Sequence, residues 1–149
     1  MLNLKGYSIS ILIIISLAIA LSILVAIWLW GLIENYSMFE ELRISSSTIN
    51  PTKDSWIIEL HVINTGSRLA VIDNIFINNM PLEKYGDRVK DLTFNGSSFN
   101  YKTGYSLDIG QKVIIRFKLV RESFKSGLTI QVRIRTRRGN EYFRDIKLP

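Results

Sequence analysis

The sequence predicts an α+β chain, with one long N-terminal hydrophobic α-helix followed by an antiparallel β-sandwich. Three observations predict it. No charged residue occurs in the 28 positions from Gly6 to Ile33. Beyond Leu42 the apolar residues alternate with period two instead of recurring at helical spacing. Asparagine, glycine and proline then punctuate the alternating runs at short intervals. The 149 residues include no cysteine and a single histidine, His61, so a disulfide framework, a cysteine-ligated metal, a thiol nucleophile and a paired-histidine site are all excluded.

The uncharged run comes first. A bilayer core needs about 20 apolar residues in helical form, and this run exceeds that. In lipid every backbone group must be satisfied within the segment, so helix is expected despite the many β-branched isoleucines. The remainder of the chain is too small to wrap a helix that is apolar on all sides. Lys5 precedes the run, whereas Glu34, Glu40 and Glu41 follow it, which places the N-terminus inside and the rest outside. Trp28, Trp30 and Tyr36 fall where an outer interfacial belt would lie. Ala18-Ile19-Ala20 has the small-residue look of a secretory cleavage site, but Leu21 to Ile33 continue just as apolar beyond it. Ala18, Ser22 and Ala26, at i, i+4 and i+8, form a small-residue stripe of the kind that lets helices approach closely.

Strands follow. Trp56, Ile58, Leu60 and Val62 share one apolar face, as do Val113, Ile115, Phe117 and Leu119, and Leu128, Ile130, Val132 and Ile134. Weaker candidates run over 42–47, 69–78, 92–94 and 142–148. Asn78-Asn79 and Gly139-Asn140 suit two-residue hairpins because both residue types tolerate positive φ, and Asn95-Gly96 marks another hairpin tip. Seven or eight short strands over 42–149 argue for a sandwich.

Lys5-Gly6-Tyr7 places a basic residue and a glycine immediately before an unbroken apolar helix. Here the sequence resembles archaeal type IV pilins and archaellins, whose class III signal peptides are cut after such a pair. Val62-Ile63-Asn64-Thr65-Gly66, Ile72 through Asn79 and Leu107-Asp108-Ile109-Gly110-Gln111 resemble the strand and turn stretches of the immunoglobulin-like sandwiches in that family. The resemblance implies three parts: a leader over 1–6, a transmembrane or filament-core helix over 7–41, and an extracellular immunoglobulin-like sandwich over 42–149. It implies cleavage by prepilin peptidase, handling by an assembly platform, and residence in the membrane before helical self-assembly into a cell-surface filament. Ile11 stands where bacterial pilins carry a glutamate, as the archaeal branch has it. The membrane-anchored stator proteins of the archaellum share the same helix-plus-sandwich plan. The expectation is therefore a structural filament subunit, with an anchored binding module contacting the surface layer (a stator or minor pilin) as the alternative.

No catalytic constellation is visible, and no cofactor is expected. Glu59 and His61 share a strand face, which reads more simply as surface than as acid–base chemistry. Asp87 and Asp91 flank Arg88 and Lys90 without the oxygen-rich spacing of a calcium loop. Asn35-Tyr36-Ser37 and Asn95-Gly96-Ser97 are sequons for N-linked glycans. From Val113 to Pro149 ten Lys/Arg stand against three acidic residues, a net +7 in a chain of +6, so the preceding part nets −1. If the strands around Arg116 and Arg133 pair, Arg116, Lys118, Arg133 and Arg135 form one basic face. Such a face suits anionic glycans or an acidic neighbour ahead of nucleic acid, or simply a solvated sheet that resists aggregation.

Overall fold

The computed structural model describes the backbone of residues 4–149, with side chains described for 7–33 and 38–149. It divides into two compact units, Met1–Met38 and Phe39–Pro149.

The first unit is the helix α1, Leu4–Ser37. Its apolar stretch Tyr7–Ile33 spans 27 residues and none of it is buried by the rest of the chain. At 1.5 Å per residue that stretch is about 40 Å long, enough to cross a bilayer core of about 30 Å with interface or tilt to spare. The mid-helix serines do not break it. Ser16 Oγ donates to the Leu12 carbonyl and Ser22 Oγ to the Ala18 carbonyl, each at 2.7 Å, so both hydroxyls are satisfied by their own helix.

The second unit is built from ten strands in two antiparallel sheets. The strands are β1 (Leu42–Pro51), β2 (Ser55–Asn64), β3 (Ala70–Ile77), β4 (Met80–Pro81), β5 (Val89–Phe94), β6 (Ser97–Ser98), β7 (Tyr105–Leu107), β8 (Lys112–Val120), β9 (Thr129–Thr136) and β10 (Glu141–Lys147). One sheet has the order β1-β2-β8-β5-β6, and the other β10-β9-β3-β4 with β7 also on β3. A 3-10 segment, Leu82–Arg88, joins β4 to β5.

Period-two alternation sets the register. Ile58, Leu60, Ile115, Phe117 and Leu119 from one sheet meet Ile72, Ile75, Ile77, Ile130 and Ile134 from the other, and all are fully buried. Each such side chain contributes about 1.5–3 kcal/mol by leaving water, so a core of this size holds without covalent cross-links. Two aromatic side chains place their polar ends on backbone carbonyls inside: Trp56 Nε1 donates to the Phe124 carbonyl at 2.8 Å, and the Tyr85 hydroxyl to the Ile77 carbonyl at 2.7 Å.

The architecture is thus the expected α+β arrangement, with differences in detail. The helix stops at Ser37, not at residue 41, because Phe39, Glu40 and Glu41 hydrogen-bond to the sandwich instead of continuing the spiral. The Asn78-Asn79 turn is a two-residue hairpin with φ of 47° and 67°. Gly139-Asn140 is not: Thr136 N–H donates to the Asn140 carbonyl at 2.9 Å across three intervening positions, and only Gly139 takes positive φ. The short strands β4, β6 and β7 and the 3-10 segment had no counterpart in the sequence pattern.

Candidate functional site

The chain enters the second unit through a neck, Phe39–Glu41, that is bonded on two sides. On one side lies the turn after β2. Thr65 and Gly66 N–H both donate to the Glu41 carbonyl, at 2.8 and 3.2 Å, and Ser67 N–H donates to the Phe39 carbonyl at 3.0 Å. Phe39 N–H donates in return to Ser67 Oγ at 3.1 Å. The turn itself is held by Asn64, which is fully buried. Its amide donates to the Arg68 and Leu107 carbonyls at 2.8 and 2.9 Å, while its Oδ1 accepts from Gly66 N–H at 3.0 Å. Gly66 is required by proximity: a Cβ there would lie 2.5 Å from the Phe39 carbonyl oxygen and 2.6 Å from Glu41 N.

On the other side lies the β9–β10 connection. The Glu40 side chain is only 2% exposed. Its Oε2 accepts from Thr136 Oγ1 at 2.7 Å and from Asn140 Nδ2 at 2.9 Å, and Arg138 Nε approaches its Oε1 at 3.5 Å. The Tyr142 hydroxyl donates to the Glu40 carbonyl at 3.1 Å. Burial pushes the Tyr142 phenol above its ordinary value of 10.0, and the neighbouring carboxylates of Glu40 and Glu41 add to the rise. Three residues of neck are therefore clamped by both sheets.

Two clefts flank this neck. One, of about 390 Å3, is lined by Glu40, Arg68, Leu69, Val71, Arg137 and Arg138. The other, of about 340 Å3, is lined by Arg43, Ser45, His61, Thr65 and Lys112 together with the strand residues Val62 and Ile63. Among the described residues no carboxylate lines the second.

The residues singled out in the sequence are distributed differently. Lys5 and Gly6 lie in the helix backbone, which runs through them into Tyr7 without a break; their side chains, and residues 1–3, lie outside the described residues. Ala18, Ser22 and Ala26 do line one shallow groove along α1, with Ile15, Ile19 and Ile23. The Asn35 side chain lies outside the described residues. Asn95 sits at a hairpin tip with φ of 50°, and both ends of its amide are engaged: Oδ1 accepts from Ile114 N–H at 2.8 Å and Nδ2 donates to the Tyr105 hydroxyl at 3.1 Å.

The four basic residues do not form one face. β8 and β9 belong to different sheets, so Arg116 and Lys118 lie on one and Arg133 and Arg135 on the other. Each has a carboxylate: Arg116 with Glu59 at 2.6 Å, Lys118 with Asp91 at 2.7 Å, Arg133 with Glu141 at 3.4 Å and Arg135 with Asp73 at 3.2 Å. Glu59 is thus engaged by Arg116 and Asp91 by Lys118, while Asp87 pairs with Lys90. Among the described residues no group of three or more His, Asp or Glu converges.

The clamp was not legible beforehand. Glu40 appears in the sequence as a mere flank of the helix, and its partners lie 96 to 102 positions away. Only Asn64-Thr65-Gly66 announced itself, as a turn.

Fold and neck together define a class: a two-sheet β unit joined by a clamped neck to a helix long and apolar enough to cross a membrane. No family model and no curated relative matches the sequence. Among solved structures the chain is similar to the archaellum periplasmic stator protein FlaG from Sulfolobus acidocaldarius, at a TM-score of 0.43 and 15% identity over 72% of this chain and 100% of that one.

Proposed function

We propose that this protein is a single-span anchored module that holds its β-sandwich on the outer side of the membrane as a binding or bracing element, without catalysis. The observation that carries this reading is the length of α1 against its apolar stretch. The helix ends at Ser37, four residues past the last residue of the span. A helix that ends this close to its span needs nothing beyond anchoring to account for its length. The charge asymmetry, Lys5 before the span and acidic residues after it, supports the outward orientation. The sandwich would then be presented to an extracellular surface layer.

The second reading, a filament subunit of pilus or archaellum type, is favoured by the groove along Ala18, Ser22 and Ala26, which a like helix could fill. Purification of the full chain from membranes separates the two. The anchor predicts intact mass that includes Met1 to Gly6, discrete particles in detergent, and a sandwich digestible from outside the cell. Continuous filaments built from a chain beginning at Tyr7 would overturn it.

A further inference from the structure

We infer that the cleft lined by β1, β2 and β8 is a binding site for an anionic sugar, one that carries a carboxylate beside free hydroxyls. The cleft lies wholly within the sandwich. The inference names the chemistry of the layer to which the anchored reading presents the sandwich, and rests on that reading for its setting alone.

Register places the cations. Arg43 of β1 lies opposite Ile63 of β2, and Ile63 opposite Lys112 of β8, so the three side chains stand abreast on the outer face of one sheet. Adjacent strands are about 4.8 Å apart, which sets the two cations about 10 Å apart at the backbone. Side chains as long as Arg and Lys can close on one carboxylate across that gap. His61, two residues before Ile63 and therefore on the same face, brings its imidazole to the same cleft of about 340 Å3.

These two cations are unpaired. Among the described residues neither Arg43 nor Lys112 makes an ion pair. Farther along the same face of β8 the pattern is the reverse, with Arg116 held by Glu59 at 2.6 Å and Lys118 by Asp91 at 2.7 Å. Glu59 is the one acidic residue of β2, so that strand has no second carboxylate to offer the cleft.

The cleft also holds acceptors. Ser45 Oγ donates to the His61 carbonyl at 3.0 Å, and Thr65 Oγ1 to the Glu41 carbonyl at 3.4 Å. With their single protons committed, both hydroxyls have only lone pairs left for a ligand. A bare anion such as sulfate supplies no donor for them. An acidic sugar satisfies both sets, its carboxylate on the cations and its hydroxyls on these oxygens. A bulge puts Ser45 there: the β1–β2 register shifts between Ile44 and Ser46, and Ser45 and Ser46 are exposed in succession. Such bulges bend a strand and re-aim a side chain, and they recur beside binding sites.

The test titrates the full chain in detergent with trigalacturonic acid by isothermal calorimetry. The acid should bind, and its fully methyl-esterified form, which keeps the ring hydroxyls and loses the charge, should not. A variant carrying Arg43→Gln and Lys112→Gln should lose about tenfold in affinity per cation removed, and Ser45→Ala about fivefold. Arg116→Gln, whose guanidinium is held by Glu59, should leave affinity unchanged. An unchanged thermal midpoint verifies that each variant is folded. Failure of the acid to bind, equal binding of the ester, or full affinity in the double variant overturns the site. A loss in Arg116→Gln as large as in the double variant would show diffuse charge attraction and also overturn it. So would displacement of the sugar, mole for mole, by sulfate at constant ionic strength, which would reassign the cleft to a free anion. The anchored reading fails separately, by continuous filaments in the same preparation, and the titration still decides the cleft.

Discussion

Thr136 Oγ1 lies 2.7 Å from the Glu40 carboxylate, joining the end of β9 to a residue 96 positions earlier, in the chain that leads into β1. The two strands belong to different sheets, so this one bond ties both layers to the neck. Replacing Glu40 by Ala removes the acceptor for Thr136, which is 1% exposed, and for Asn140. The loss should be about 1–3 kcal/mol, read as a fall of roughly 4–8 °C in melting temperature per kcal/mol. Near-ultraviolet circular dichroism during thermal unfolding would record it, and an unchanged midpoint would show that the clamp contributes nothing.

Gly66→Ala should be worse than any other glycine substitution in the sandwich that meets open space. Its Cβ would meet backbone atoms at 2.5 and 2.6 Å, and backbone cannot rotate aside. At Gly96 a Cβ meets nothing within 4 Å, so only the φ of +83° opposes it, at about 1–2 kcal/mol. Gly31, in the helix, has open space and no positive φ, and there alanine should be tolerated. Parallel denaturant titrations of the three variants would test this order.

Alkaline pH should weaken the neck. Because the folded Tyr142 phenol titrates above 10.0, the unfolded chain releases its proton first. The stability that Tyr142 contributes is full below pH 10.0 and is lost as pH rises through the folded value. Tyr85 and Tyr101, raised by burial, act in the same direction. Tyr142→Phe should flatten part of the decline between neutral pH and pH 11, followed by urea midpoints.

Surface ion pairs should matter little beside the core. Arg116 is more than half exposed, so despite its 2.6 Å contact with Glu59 the substitution Arg116→Gln should cost no more than about 1 kcal/mol and fade with added salt. Its neighbour Phe117 is fully buried, and Phe117→Ala should cost about 3–5 kcal/mol. Equal losses at the two positions would contradict the division between outer face and core.

What could be read in advance divides by the range of the interaction. β2, β8 and β9 were legible because each alternates strictly, with Ile58, Leu60, Phe117 and Ile134 turned inward. The start of β5 was hidden: a bulge between Lys90 and Thr93, with Asp91 at a φ of 56°, breaks the alternation there. The basic face failed for a topological reason, since local pattern makes strands but does not assign them to sheets.

The hydrogen bonds of an antiparallel ladder run perpendicular to its strands. β1 lies along β2 from Leu42 opposite Asn64 to Pro51 opposite Trp56, and the neck is its direct extension. In the anchored reading, a pull on the neck reaches the sandwich first through the clamp bonds of Phe39–Glu41 and then through β1. Force directed along β1 would load its rungs together in shear instead of peeling them singly.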